Sequence, residues 1–186
     1  MSADTPFRSF FHGARLPALC ETQKGDARKR PLSGEMSMTN LANNIQTAST
    51  VTAIKVPNYQ RMDIFPLLFG ARHIKGEALI YGHMRKFCTA YNGGHWVIFR
   101  LSNGGAYLRP DMETARMGVT SNYFDAEISG DAAGIIVTLY ALNVLMWEAS
   151  GNDNEVLLQR LTNNYDWLKD YASEHSERGF IYRAID

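Results

Sequence analysis

The sequence lacks an excess of charge of either sign. Its 186 residues include 19 lysines and arginines and 19 aspartates and glutamates, so the formal net charge is zero at pH 7. A nucleic-acid-binding protein usually carries a basic excess, because neutralising phosphates supplies much of its affinity. A protein that imitates DNA needs a dense acidic surface for the same electrostatic reason. The composition favours neither class, and we expect no direct binding to DNA.

Cysteine is also scarce. The two cysteines, Cys20 and Cys88, lack the CxxC spacing of a redox or zinc motif and are too few for a disulfide framework. The five histidines are scattered without the spacing of metal ligands. We therefore expect free thiols in a reducing cytoplasm, with no metal and no cofactor.

Long hydrophobic runs are absent too. The longest apolar stretch covers residues 132–147 and includes Thr138 and Asn143, whereas a membrane-spanning helix needs about 20 mostly apolar residues. The N-terminus shows no apolar core of a signal peptide. The apolar stretch is interpreted as a buried core helix, and no association with a membrane is expected.

Residues 1–50 differ in character from the rest of the chain. They contain a basic cluster over residues 24–30, several small polar residues and little apolar periodicity, which predicts a flexible N-terminal extension. Met36 and Met38 lie within it, and one of them is a candidate for the native start. A single ordered domain is predicted over residues 56–186.

Apolar periodicity within that domain predicts an α+β fold. Helices are expected over residues 61–69, 77–91 and 132–149, along a stripe from Leu158 to Ala172, and over 180–185. Strands are expected over residues 96–101, 106–109, 117–121 and 124–128. The strands would form an antiparallel meander of three or four strands, packed with about four to five helices. Asn103-Gly104 between the first two strands is typical of a hairpin turn, because both central residues need positive φ.

Short polar residues mark the starts of the two long helices. Ser129 or Asp131 is predicted to cap the 132–149 helix, since either side chain can accept a free N–H of the first turn. Asn152, with Glu155 three residues later, resembles a capping box for the next helix.

Four segments resemble the ArdB/KlcA antirestriction family, in the same order and with a shared C-terminus. They are RMDIFPLLFG at 61–70; YNGGHW at 91–96 with LSNGGAY at 101–107; SGDAAGIIVTL at 129–139; and YA at 171–172 followed by FIYRAID at 180–186. Any one of them alone is weak. Together they cover nearly the whole predicted domain, which makes the resemblance specific.

The resemblance implies a function inside the cell and a class of partner. Members of this family, found on mobile genetic elements, are described as relieving type I DNA restriction. We therefore expect a non-enzymatic inhibitor that acts at the protein level and not as a DNA mimic. Its partner would be the type I restriction-modification complex or an accessory factor.

No catalytic residues carry over from the family. Arg61, Asp63, Asn103 and Asp186 are candidates for partner contact, because they lie in the signature segments. A homodimer formed through the last long helix, around Trp167 and Tyr171, is a further hypothesis.

Two functions from other classes stay open at the level of sequence. One is a DNA-binding regulatory module of a mobile element, which would use the basic cluster at 24–30. The other is a small hydrolase built on Cys88 and His95, seven residues apart across a predicted helix–strand junction. Cys88 falls on an apolar stripe, which favours a packed side chain over a nucleophile.

Overall fold

The computed structural model describes residues 50–186. The predictions for the N-terminal extension and for Met36 and Met38 therefore lie outside the described residues. The helices are α1 (Arg61–Phe69), α2 (His73–Phe87), α3 (Gly130–Gly151), α4 (Glu155–Glu174) and α5 (Arg178–Ile185). The strands are β1 (Ala53–Lys55), β2 (Trp96–Leu101), β3 (Ala106–Pro110), β4 (Thr114–Val119) and β5 (Phe124–Ser129). The predicted α+β class is confirmed.

Strands β1, β2 and β3 form one antiparallel sheet, with β2 in the centre. The predicted hairpin joins β2 to β3, and Gly104 in its turn has a φ of 106°, a conformation that favours glycine. Strand β1 was not expected. It is only three residues long and shows no alternation that would reveal it in the sequence, and it begins before the predicted domain start at residue 56.

Strands β4 and β5 pair separately as a two-stranded antiparallel sheet, so the strands do not form one continuous meander. The outer edge of β3 is covered by a helix instead of a fourth strand. The Leu108 N–H on that edge donates to Thr138 Oγ1 of α3 at 3.3 Å, and the Thr138 hydroxyl donates to the Gly134 carbonyl at 2.8 Å. A buried N–H that lacks a strand partner is satisfied in this way.

Helix α3 is the centre of the core. It packs against α2, α4, α5 and β3, and its residues are buried nearly all round. By length and composition it could cross a membrane, but 83% of its most apolar window is buried inside the molecule. That burial fits the predicted core helix.

The caps of the two long helices differ in part from the expectation. Ser129 caps α3, because its Oγ accepts from the Ala132 N–H at 3.1 Å, while Asp131 lies in the first turn. Asn152 does not cap α4. Asn154 does so, with its Oδ1 accepting from the Leu157 N–H at 3.1 Å, whereas the Asn152 amide donates back to the Glu148 carbonyl at 2.7 Å.

Helix α2 begins and ends four residues earlier than predicted. Cys88 follows it in an extended conformation (φ −123°, ψ 100°), which stops the helix before Tyr91. Tyr91 is nevertheless buried, and its hydroxyl accepts a hydrogen bond from the Trp96 indole at 2.7 Å. The apolar residues beyond Phe87 therefore belong to a packed connection and not to the helix.

Candidate partner-contact site

Arg61 and Asp63 begin α1 but have different surroundings. Arg61 is half-buried, and its guanidinium donates to the Trp96 carbonyl at 2.5 Å. That bond ties the start of α1 to the start of β2. Asp63 is exposed in the first turn, where its negative charge is favoured by the helix dipole.

An open surface groove of about 660 Å³ lies between α1 and α4. Its walls combine apolar side chains with an acidic group, a basic group and an imidazole. The lining residues are Met62, Asp63, Pro66, Leu67, Gly70, Ala71, His73 and Arg160. Such a groove is shallow enough for a protein surface and does not enclose a small molecule.

Gly70 shapes this groove. It follows α1 with a φ of 57°, and a Cβ added there would lie 3.2 Å from both Arg160 Cδ and Leu157 Cδ1. The absence of a side chain lets the aliphatic part of Arg160 lie against the end of α1. This packing explains why a glycine stands at position 70, the last residue of the first signature segment.

Asn103 holds the β2–β3 turn against α4. Its amide donates to the Trp167 carbonyl at 2.9 Å and its Oδ1 accepts from the Gly105 N–H at 3.2 Å. The Trp167 ring covers Gly104, with ring atoms 3.5 Å from where a Cβ would stand. The Ser102–Gly105 stretch is therefore a packed turn, and its glycines admit the indole.

Trp167 and Tyr171, the proposed dimer face, are engaged within the chain. Trp167 packs on the β2–β3 turn, and the Tyr171 ring stacks on Tyr107 with centroids 5.6 Å apart. Both residues are partly buried. Their contacts account for their place on α4.

Asp186 is exposed at the end of the chain, directly after α5. The segment before it is anchored to the β4–β5 connection, because the Asn122 amide donates to the carbonyls of Arg183 at 3.0 Å and Ala184 at 2.7 Å. The four predicted contact residues thus belong to three regions: the start of α1, the β2–β3 turn and the C-terminus. The structure gives no contact among these regions through the four side chains.

A partly buried polar cluster of Tyr107, Asp131 and His175 was not predicted from the sequence. The Tyr107 hydroxyl donates to Asp131 Oδ1 at 2.8 Å, and His175 Nε2 lies 3.3 Å from Asp131 Oδ2. Burial acts to raise the pKa of Asp131, but the hydrogen bonds from His175 and Tyr107 and the charges of His175 and Arg109 outweigh it and hold that pKa below its usual value. Burial, followed by the charge of Asp131, raises the pKa of Tyr107.

The imidazole of His175 uses both nitrogens in this cluster. Its Nδ1 accepts from the Glu177 N–H at 3.0 Å, so the ring proton of the neutral form sits on Nε2, facing Asp131. Glu177 in turn accepts hydrogen bonds from the backbone N–H of Ser129, at 3.0 Å, and from its hydroxyl. The cluster joins the end of α4 to the start of α3, and His175 has no free lone pair for base catalysis.

The sequence contained part of the signal for this cluster. Tyr107 and Asp131 each lie in a signature segment, but nothing in their spacing relates them to His175, which is 44 residues beyond Asp131. The sequence favoured a helix cap over an acid catalyst as the role of Asp131, and it did not predict the contact with His175.

Cys88 and His95 do not have the exposure that a catalytic pair needs. The Cys88 side chain is fully buried and free, whereas His95 is exposed. A substrate could not reach the thiol without local unfolding. Within residues 50–186, no three His, Cys, Asp or Glu side chains are grouped to hold a metal ion.

The fold and these surfaces define a small α+β protein whose candidate site is an open groove. Residues 89–186 match the family described as antirestriction proteins. An Escherichia coli antirestriction protein KlcA is 43% identical over 148 residues, covering 77% of this chain and 99% of KlcA. The chain is also 34% identical to the putative antirestriction protein YubI of E. coli K12, covering 76% of this chain and all of YubI.

A solved structure supports the same conclusion. It is 43% identical, has a TM-score of 0.66 and matches over 73% of this chain and 95% of its own length. It comes from work describing KlcA and ArdB proteins as having a novel fold and antirestriction activity against type I DNA restriction systems in vivo but not in vitro. The chain belongs to the antirestriction protein family.

Proposed function

We propose that this protein relieves type I DNA restriction in the cytoplasm by protein-level inhibition, without catalysis and without DNA mimicry. The observation that carries this proposal is the 43% identity to KlcA over 99% of the length of KlcA. The fold similarity to a solved relative with antirestriction activity against type I systems in vivo agrees with it.

The balanced net charge supports inhibition through protein contact. The chain has 19 basic and 19 acidic residues, so it carries neither the overall basic excess typical of a DNA-binding protein nor the overall acidic excess of a DNA mimic. The candidate contact surface is a groove lined by both apolar and charged side chains. Such a surface suits another protein.

The partner is proposed to include a component of the living cell. The solved relative is described as active in vivo but not in vitro, which is the behaviour expected when a purified restriction enzyme alone does not provide the target. The type I complex in its cellular state, or an accessory factor that it needs, fits this condition.

Two of the four candidate residues have side chains available to a partner. Asp63 and Asp186 are exposed, whereas Arg61 and Asn103 donate hydrogen bonds to the backbone of other elements. We propose direct contact for the two aspartates. Arg61 and Asn103 would position the surfaces around them.

Plating efficiency tests the function directly. Unmodified phage is plated on cells with a type I restriction system, with and without the expressed protein, and on a type II host as the control. A large recovery of plaques in the type I host alone is expected. Absence of recovery, with soluble protein verified in the same cells, would remove the proposal.

A further inference from the structure

Two side chains of opposite charge border the α1–α4 groove but do not form an ion pair with each other. Asp63 on α1 and Arg160 on α4 are both exposed and both line the groove. Neither has an ion pair or a side-chain hydrogen bond in the part of the chain that the structure describes. By contrast, in a second groove, beside the β4–β5 hairpin, Arg116 pairs with Asp125 at 3.0 Å.

Exposed apolar side chains surround these two charges. Met62 is 73% exposed and Leu67 49%, both within the groove. Tyr59, 82% exposed, precedes Met62 by three residues, and Val156, 80% exposed, lies one helical turn before Arg160. Aromatic residues, methionine and arginine are enriched at the centres of protein interfaces. Val156 and Arg160, four residues apart on α4, share one helix face, whereas Tyr59 lies in the short 3-10 turn just before α1.

Because one acidic and one basic side chain lie on the same groove, a second copy of this surface can oppose each charge with a charge of the other sign. In a two-fold interface the same patch is used twice, so if residue i contacts residue j, then j contacts i. A partner with charge of one sign would be repelled by either Asp63 or Arg160, whereas a second copy presents both signs in the matching order.

We propose that the α1–α4 groove is a two-fold interface between two copies of this chain. Asp63 of each protomer pairs with Arg160 of the partner subunit, and Met62 and Leu67 pack between the two ion pairs. This inference does not rest on the antirestriction function, and it moves the dimer face away from Trp167 and Tyr171. Because the second copy would occupy the groove and Asp63, dimerisation and contact of a restriction partner with this groove would exclude each other.

Charge reversal, read by sedimentation velocity on the full chain, tests this interface. The wild type is expected to dimerise, and Asp63→Arg or Arg160→Asp alone to weaken dimerisation by about tenfold or more, because each homodimer then contains two like-charge contacts. An equal mixture of the two single variants should restore the dimer, since both pairs become complementary again. The double variant Asp63→Arg/Arg160→Asp should restore it as a homodimer.

Matched controls separate the interface from general charge effects. Glu113→Arg and Arg85→Asp make the same reversals at exposed positions outside the groove, and they should leave the dimer unchanged. Far-UV circular dichroism verifies that each variant is folded. A wild type that stays monomeric at millimolar concentration, or single variants that dimerise normally, or a mixture that fails to recover, would overturn the proposal.

The plating assay is scored separately from sedimentation. A monomeric wild type that still recovers plaques would remove the interface and leave the proposed function intact. A dimer that responds to charge reversal as described, without plaque recovery by the wild type, would support the interface and remove the proposed function.

Discussion

At the scale of single residues, Asp131 receives polar contacts from two other elements. Tyr107 on β3 donates to one carboxylate oxygen and His175, just after α4, lies against the other. The side chains of Asp131 and His175 are 23% and 11% exposed, respectively, so solvent screens the interaction only in part. The carboxylate therefore stabilises the fold most when it is ionised.

Replacing Asp131 with Asn should change how the free energy of unfolding depends on pH. The pKa of Asp131 is lowered from 3.8 on folding, so its ionised form contributes stability at neutral pH that is lost as the pH falls below 3.8. The free energy of unfolding of the Asn variant should be lower than that of the wild type at neutral pH. The difference between the two free energies should become smaller below pH 3.8. Urea unfolding across this range measures it.

The Tyr107→Phe variant serves as a control for this prediction. It removes one hydrogen bond to Asp131 but leaves the carboxylate, so it should lower stability at neutral pH by about 1 kcal/mol and retain most of the acid dependence. Identical acid profiles for the wild type and Asp131→Asn would contradict the assigned role of the carboxylate.

Arg61 and Asn103 show what sequence cannot distinguish at this scale. Both lie in signature segments and both carry groups suited to binding a partner, and their bonds to the Trp96 and Trp167 carbonyls are long-range. Nothing local in the chain reveals an acceptor 35 or 64 residues away. Only the packing of α1 on β2, and of the β2–β3 turn on α4, decides their role.

At the scale of elements, α3 packs on the edge of β3 through a glycine. A Cβ at Gly134 would stand 2.3 Å from the Leu108 carbonyl oxygen and 2.8 Å from Arg109 Cα. Both neighbours are backbone atoms, which cannot rotate away as a flexible side chain can. The close approach also places the Thr138 hydroxyl at the Leu108 N–H.

Gly134→Ala should therefore destabilise the protein, although alanine has a higher helix propensity than glycine. Separating α3 from β3 is expected to cost about 1–3 kcal/mol or more. Gly82→Ala in α2 is the matched control, because nothing lies within 4 Å of a Cβ there, and it should stabilise by about 0.5–1 kcal/mol. Chemical denaturation of both variants measures the difference, and a neutral Gly134→Ala would refute the close packing.

The boundaries of elements were predictable only where a local rule is strong. Asn103-Gly104 indicated the hairpin correctly, but only Gly104 has the positive φ that was predicted for both residues. The cap of α4 was predicted wrongly at Asn152, since several short polar residues precede that helix and each could accept an N–H. The backbone path selects Asn154, whose Oδ1 reaches the Leu157 N–H.

At the scale of the whole molecule, the similarity to known antirestriction proteins covers about three quarters of the chain. KlcA matches 77% of this chain and YubI 76%, with nearly the full length of each relative included. The described residues 50–186 carry all four signature segments. The function proposed for the chain should therefore belong to this part.

Deleting residues 1–49 should leave the relief of type I restriction unchanged. The plating assay, with the full chain and the shortened chain expressed at equal levels, measures this. Plaque recovery lost on deletion, with the shortened chain folded by circular dichroism, would contradict the prediction. It would favour a role for the basic cluster at residues 24–30, as in the DNA-binding alternative.

The sequence by itself determined the α+β class, the β2–β3 hairpin, the central apolar helix and the resemblance to the family. These depend on periodicity, on turn chemistry and on ordered local segments, which are all visible along the chain. Tertiary structure alone decided that α3 covers the edge of β3, that Asp131 meets His175, and that Asp63 and Arg160 border one groove. Each of these joins residues distant in sequence, and their contacts arise only when the helices and sheets pack together.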